Sequence, residues 1–127
     1  SGSVIAIVAT DAPLIPHQLQ RLARRAALGI GRSGATSGHG SGDIFLAFST
    51  ANAEAVSDSG ALQSATFVPD AALNPFFAAT IQAVDEAVLN SLVANETMTG
   101  ADDHVVHALP HHEVRALMAK ALAARAL

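Results

Sequence analysis

The sequence predicts an α/β fold whose sheet is incomplete. Three features predict it: a first strand apolar on both faces, an element order of strand, helix, strand, possible strand, helix, helix, and too few strands to cover that first one. Two or three strands leave faces and edges bare, so further strands are expected from outside these 127 residues. The chain therefore reads as one domain or a piece of one.

Each element follows from its local pattern. "SVIAIVA" at residues 3–9 is apolar without alternation and β-branched at Val4, Ile5, Ile7 and Val8, as in a strand lying inside a sheet. "TDAPLIP" breaks that run and leads into a helix in which Leu19, Leu22, Ala23, Ala26, Ala27 and Ile30 share one face, with Gly29 and Gly31 expected to close it. In "RSGATSGHGSGD" glycine, serine and threonine take eight of twelve positions, so this is a loop without core-forming residues. "DIFLAFST" alternates Ile44, Leu46 and Phe48 with Phe45, Ala47 and Ser49 as a second strand, and "ALQSATFV" is a possible third. A long helix is expected from Pro75, a first-turn proline, with one apolar row at Ile81, Val84, Val88 and Leu92 and an adjoining row at Leu89 and Val93. "ETMTGADDHVVHAL" reads as a polar connection. Pro110 then starts a last helix with Val114, Leu117, Met118, Ala121 and Leu122 inward.

Composition narrows the function. Half of the residues are hydrophobic and 14% are charged, so part of the surface is expected to meet another chain. A net charge of -4 and the absence of Trp and Tyr argue against nucleic acid as a partner. Without cysteine there is no disulfide, thiolate metal site or thiol nucleophile, and the compartment stays open between cytoplasm and periplasm. No uninterrupted apolar stretch reaches the roughly eighteen residues of a membrane span, so no membrane partner is expected and the chain reads as soluble.

Chemistry is suggested at two places. The chain opens "SGSVIAIVAT", and a free Ser1 at the start of a buried strand would hold a hydroxyl and an α-amine of pKa roughly 7.7–8.0 in one residue, a nucleophile with its own base. The same Ser-Gly-Ser is also what tag removal leaves behind. In "HGSGD", Ser41 and Asp43 stand two apart before a strand, so an extended backbone turns both side chains to one face. Ser-Gly-Asp is equally ordinary turn chemistry.

"IVATDAPL" (Ile7 to Leu14), "LQRLARRAALGIGRSG", "SGDIFLAFST" and "EAVLNSLVANETMTG", in that order from Ser1 to about Leu109, resemble the β-chain of the DmpA/BapA family of L-aminopeptidase/D-esterases and β-aminopeptidases. The resemblance implies part of a four-layer α/β/β/α sandwich of the N-terminal nucleophile (Ntn) hydrolase type, completed by an α-chain cut from the same precursor. It implies that residues 1–127 are a single catalytic β-subunit sharing its domain with that α-chain. Ser1 is then the nucleophile freed by self-cleavage, and Ser41 and Asp43 match the family's Ser-x-acid pair. The acid is often glutamate in the β-aminopeptidase branch and is one methylene shorter here. Implied partners are the α-chain, further αβ units in a homo-oligomer of heterodimers, and a short peptide, amide or ester substrate. No cofactor or metal is implied. The alternative from the residues alone is a non-catalytic α/β assembly or binding subunit with a tag-derived N-terminus.

Other motifs read more plainly. His104, His107, His111 and His112 lie among Asp102, Asp103 and Glu113, but Pro110 interrupts their spacing and no metal-ligand motif appears, so surface or structural roles are expected. Arg21, Arg24, Arg25 and Arg32 form a basic helix face, read as solvated or in contact with another subunit. "GIGRSG" and "GHGSG" lack the full phosphate-loop spacing. Glu96, Thr97 and Thr99 in "ETMTG", a family motif, read as capping or loop-fixing residues.

Overall fold

A computed structural model describes residues 2–55 and 60–125. The elements in chain order are strand β1 (Ile5–Thr10), helix α1 (Pro16–Arg32), strand β2 (Ile44–Ser49), helix α2 (Asn74–Ala94), the two-residue strands β3 (Met98–Thr99) and β4 (Val105–Val106), and helix α3 (His111–Arg125). The chain divides after Glu86 into two compact units.

In the first unit β1 and β2 pair in parallel from Ile5↔Ile44 to Thr10↔Ser49, with α1 as the crossover that a parallel pair needs. Side chains alternate across the pair, so Val8 and Ala47 turn to the helical side and pack against a core of Leu14, Leu22, Leu73 and Phe77. Burying each large side chain of that core contributes about 1.5–3 kcal/mol. The opposite face of the sheet is bare: Ile5, Ile7, Ile44, Leu46 and Phe48 are 43–69% exposed. The two-sided apolar pattern of β1 thus meets a helix on one face, and its other face is apolar and uncovered among the described residues.

Helix α1 begins at Pro16, whose missing N–H costs nothing in a first turn. Gln18 Oε1 accepts from the Ile15 N–H at 3.3 Å, the backward half of a capping box. Gln18 is fully buried, and its Nε2 donates to the Val68 carbonyl at 2.7 Å and Asp70 Oδ1 at 2.8 Å, so the buried amide is satisfied. The expectation that Gly29 and Gly31 end this helix is corrected. The helix runs to Arg32 and stops at Gly34, whose φ of +89° suits glycine, with the Gly34 N–H donating to the Gly31 carbonyl at 3.0 Å. Gly29 is instead a contact point. A Cβ there would lie 2.7 Å from Val84 Cβ and 2.8 Å from the Ile81 carbonyl of α2, so the missing side chain lets the helices approach. Of the predicted apolar face, Leu22, Ala26 and Ile30 are buried while Ala27 is exposed.

The basic face is partly solvated, with Arg24 and Arg32 exposed, and three of its arginines also have partners within the chain. Arg21 pairs with Asp70 at 3.2 Å, Arg32 with Asp85 at 2.8 Å, and Arg25 lies 3.8 Å over the Phe77 ring. No strand forms over residues 61–69. That segment is held by isolated bonds rather than a ladder: Asn52 donates to and accepts from the Thr66 backbone at 3.0 and 3.1 Å, and the Val68 N–H donates to the Pro13 carbonyl at 2.9 Å.

Helix α2 has Pro75 in its first turn, as expected, with Phe77, Thr80 and Val84 buried. Of its apolar rows, Leu89, Leu92 and Val93 are exposed. By length and composition alone α2 could cross a membrane, being 21 residues long with a mean hydropathy of 1.2 over an 18-residue window. Asp85 and Glu86 interrupt the apolar run without ending the helix. In the second unit, the segment read as a polar connection contains a small hairpin, with Met98 opposite Val106 and Thr99 opposite Val105. The Thr97 hydroxyl accepts from the Ala108 N–H at 3.0 Å, in keeping with the loop-fixing role expected of "ETMTG". Helix α3 starts after Pro110 but buries none of its apolar row; Leu117, Met118 and Leu122 are exposed.

Candidate active site

The N-terminal end of β1 meets the loop that enters β2, because parallel pairing places both strand starts at the same edge of the sheet. The Val4 carbonyl accepts from the Ile44 N–H at 2.9 Å, extending the ladder one step before β1. Just beyond that bond, Ser41 and Asp43 turn to the same side, as their spacing predicts, and the Ser41 hydroxyl donates to Asp43 Oδ1 at 2.6 Å. The same hydroxyl lies 3.0 Å from the Gly2 carbonyl oxygen. With one proton and two acceptors, the shorter, charge-assisted contact to the carboxylate dominates. Asp43 Oδ1 also accepts from the Val4 N–H at 3.1 Å. The pair thus holds the strand entry through the Val4 N–H, with the Ser41 oxygen beside the Gly2 carbonyl.

Two further hydroxyls complete the arrangement. Ser3 Oγ accepts from the Gly42 N–H at 2.8 Å, tying the Ser-Gly-Asp turn to the strand entry. Ser37 Oγ donates to Asp43 Oδ2 at 2.9 Å, so both oxygens of the carboxylate are held. Neither serine was singled out from the sequence. Their signal was only a surplus of hydroxyls in a glycine-rich loop, which turn chemistry explains as well. The aspartate, one methylene shorter than glutamate, nevertheless reaches Ser41, Ser37 and the Val4 amide.

These donors hold the Asp43 carboxyl below the usual carboxylate range. The Ser41 hydroxyl contributes most and Ser37 next, partial burial opposes them, and the Val4 N–H adds a smaller favourable contribution. Asp43 is therefore an anion at neutral pH. It faces an open cleft of about 390 Å³ lined by Gly2, Ser3, Ile30, Thr36, Ser37 and Ser41 among others. Ser1, the predicted nucleophile, lies outside the described residues, and the structure brings together the other two predicted site residues beside its neighbour Gly2.

The histidine-rich segment lies in the second unit. There His111 Nε2 is 3.0 Å from the Val93 carbonyl and His112 lies 3.7 Å from Glu113. Among the described residues no three His, Asp or Glu side chains gather as metal ligands would.

Comparison with known proteins places this geometry in context. Residues 1–106 match peptidase family S58. The chain is 50% identical over 119 residues to the beta-peptidyl aminopeptidase BapA of Sphingosinicella microcystinivorans, covering 94% of this chain and 30% of that protein. Among solved structures, the L-aminopeptidase D-Ala-esterase/amidase of Ochrobactrum anthropi, a prototype for the serine aminopeptidases and a variant of the Ntn hydrolase fold, matches with a TM-score of 0.80 at 44% identity over 91% of this chain and 33% of that one. A protein of Pyrococcus horikoshii OT3 matches with a TM-score of 0.85, also at 44% identity, over 91% of this chain and 33% of its own. The α/β arrangement described above is thus a fragment of the Ntn hydrolase fold, and the chain spans about a third of the relatives it matches.

Proposed function

This chain belongs to peptidase family S58, and from that membership we propose that it is the catalytic β-subunit of a serine aminopeptidase, releasing N-terminal amino acid residues, α or β, from short peptides, amides or esters. The observation that supports the site most directly is the Ser41–Asp43 pair at the strand entry, where the Ser41 hydroxyl donates to Asp43 Oδ1 and lies beside the Gly2 carbonyl while Asp43 accepts from the Val4 N–H.

In this reading Ser1 Oγ attacks the substrate carbonyl while its proton moves to the Ser1 α-amine. The tetrahedral oxyanion collapses, the C–N bond breaks, and the departing amine takes that proton, leaving an acyl ester on Ser1. Water then attacks the ester, again giving a proton to the α-amine, which returns it to Oγ as the acid departs. The anionic Asp43 draws the Ser41 proton toward itself, so the Ser41 oxygen presents lone pairs toward the strand entry, suited to receiving an N–H of the Ser1 ammonium. Earlier in the protein's life the same Ser1 hydroxyl attacks the peptide bond before it, and cleavage of that bond frees the amine.

The α-chain of the same precursor covers the bare face formed by Ile5, Ile7, Ile44, Leu46 and Phe48 and contributes groups for the substrate amine and the oxyanion, where a single donor is worth roughly 2.7–4 kcal/mol. The αβ pairs assemble further into a homo-oligomer.

The test is mass spectrometry of the full-length precursor together with aminopeptidase assays. A fragment beginning at Ser1 should appear spontaneously, and Ser1→Ala should abolish both the fragment and the activity. An intact precursor with unimpaired activity overturns the reading. Transfer of the acyl group to an added amine in place of water would point to an acyltransferase sharing the fold.

A further inference from the structure

We propose that Ser37 is a positioning residue of this site, its hydroxyl fixing the Asp43 carboxylate so that Oδ1 stays on Ser41 and the Val4 amide. The inference rests on the function proposed above and assigns a role to a residue which that function does not use.

Asp43 divides its two oxygens unequally. Oδ1 takes the Ser41 hydroxyl at 2.6 Å and the Val4 N–H at 3.1 Å, whereas Oδ2 takes the Ser37 hydroxyl at 2.9 Å. A carboxylate held on one oxygen can swing about its Cβ–Cγ bond, and such a swing would exchange the oxygen facing Ser41 or draw it out of reach. A donor on the second oxygen removes that freedom. Among the described residues lining the cleft, Asp43 is the one titratable group, and its hydrogen-bond donors there are Ser41, Ser37 and the Val4 N–H.

The backbone at Ser37 supports a role for the side chain. Its φ is +47°, in the left-handed region that disfavours residues with a Cβ, in a loop that places glycine at 34, 38, 40 and 42. Glycine would fit the turn with less strain. What serine adds at this position is a hydroxyl, and that hydroxyl is spent on Asp43.

Two substitutions in the full-length, assembled enzyme separate the side chain from the backbone. Ser37→Ala removes the hydroxyl and keeps the strained φ; Ser37→Gly removes the hydroxyl and relieves it. Both should lower kcat by about tenfold with KM within twofold, as misplacement of a supporting group does. In both, the Asp43 carboxyl titration followed by carbon NMR should move upward toward the ordinary aspartate value. Ser37→Gly should keep or raise the thermal midpoint, so a loss of activity there is not a folding defect. Wild-type kcat in Ser37→Gly overturns the proposal even if Ser37→Ala is slow, and so does an Asp43 titration that stays in place. Ser1→Ala run alongside separates the two readings: if it stays active, the proposed function fails, whereas if it is inactive and Ser37→Gly is unimpaired, only the role of Ser37 fails.

Discussion

Asp43 shows how much one side chain can organise when its acceptors are all used. An ionised carboxylate offers two oxygens, and here three donors from three parts of the chain converge on them: Ser41 beside it, Ser37 earlier in the loop, and the Val4 amide of the neighbouring strand. The spacing of Ser41 and Asp43 was legible in the sequence because extended backbone has a period of two. The contribution of Ser37 was not, since a loop has no period from which to place a residue six positions away. Asp43→Asn keeps the shape and removes the charge. In the assembled enzyme it should lower kcat roughly tenfold or more, measured at substrate saturation. The sign of its pH effect follows from a folded pKa below the unfolded value of about 3.9. Asp43's contribution to stability is complete above that value and is lost as pH falls through the lower folded one. Acid unfolding followed by circular dichroism should therefore show no loss from Asp43 between neutrality and about pH 4, and Asp43→Asn should shallow the decline below it.

At the scale of elements, Gly29 carries the clearest departure from sequence expectation. A glycine near the end of an amphipathic run reads as a stop signal, yet the helix continues for three more residues to Arg32. In an isolated helix Ala would be better than Gly by roughly 0.5–1 kcal/mol. Here the close approach of Val84 and the Ile81 carbonyl reverses the preference, because a Cβ would have to displace backbone as well as a side chain. Gly29→Ala should destabilise the protein by about 1–3 kcal/mol, read from the denaturant midpoint, with little change in the slope of the transition. The arginines of α1 make a related point. Their charge marks a polar face, and the sequence contains nothing local to say that Asp70, Asp85 and Phe77 would come to meet them. Likewise "ALQSATFV" has strand-like composition, but Asn52 and Pro13 engage its backbone through isolated bonds, and a ladder needs a partner strand in register.

At the scale of the whole molecule, the bare sheet face decides how the chain behaves alone. Five large apolar side chains of the β1–β2 pair face outward, more than a free-standing domain normally leaves uncovered. If the proposed α-chain covers this face, Leu46, 54% exposed here, becomes buried against it, and Leu46→Asp should abolish co-purification of the two chains after expression of the full-length protein; unchanged co-purification would place the contact elsewhere. Local pattern sufficed for the class of fold, for β1, α1, β2 and α2 to within a residue or two of their ends, and for the Ser41–Asp43 pair, because periodicity and spacing are properties of neighbouring residues. Long-range packing alone makes Gly29 a contact, brings the arginines onto α2 and its approach, and adds Ser3 and Ser37 to the candidate site. Those outcomes depend on residues far apart in the chain meeting in space, and whether a Cβ or a hydroxyl helps or obstructs is settled by what stands opposite it.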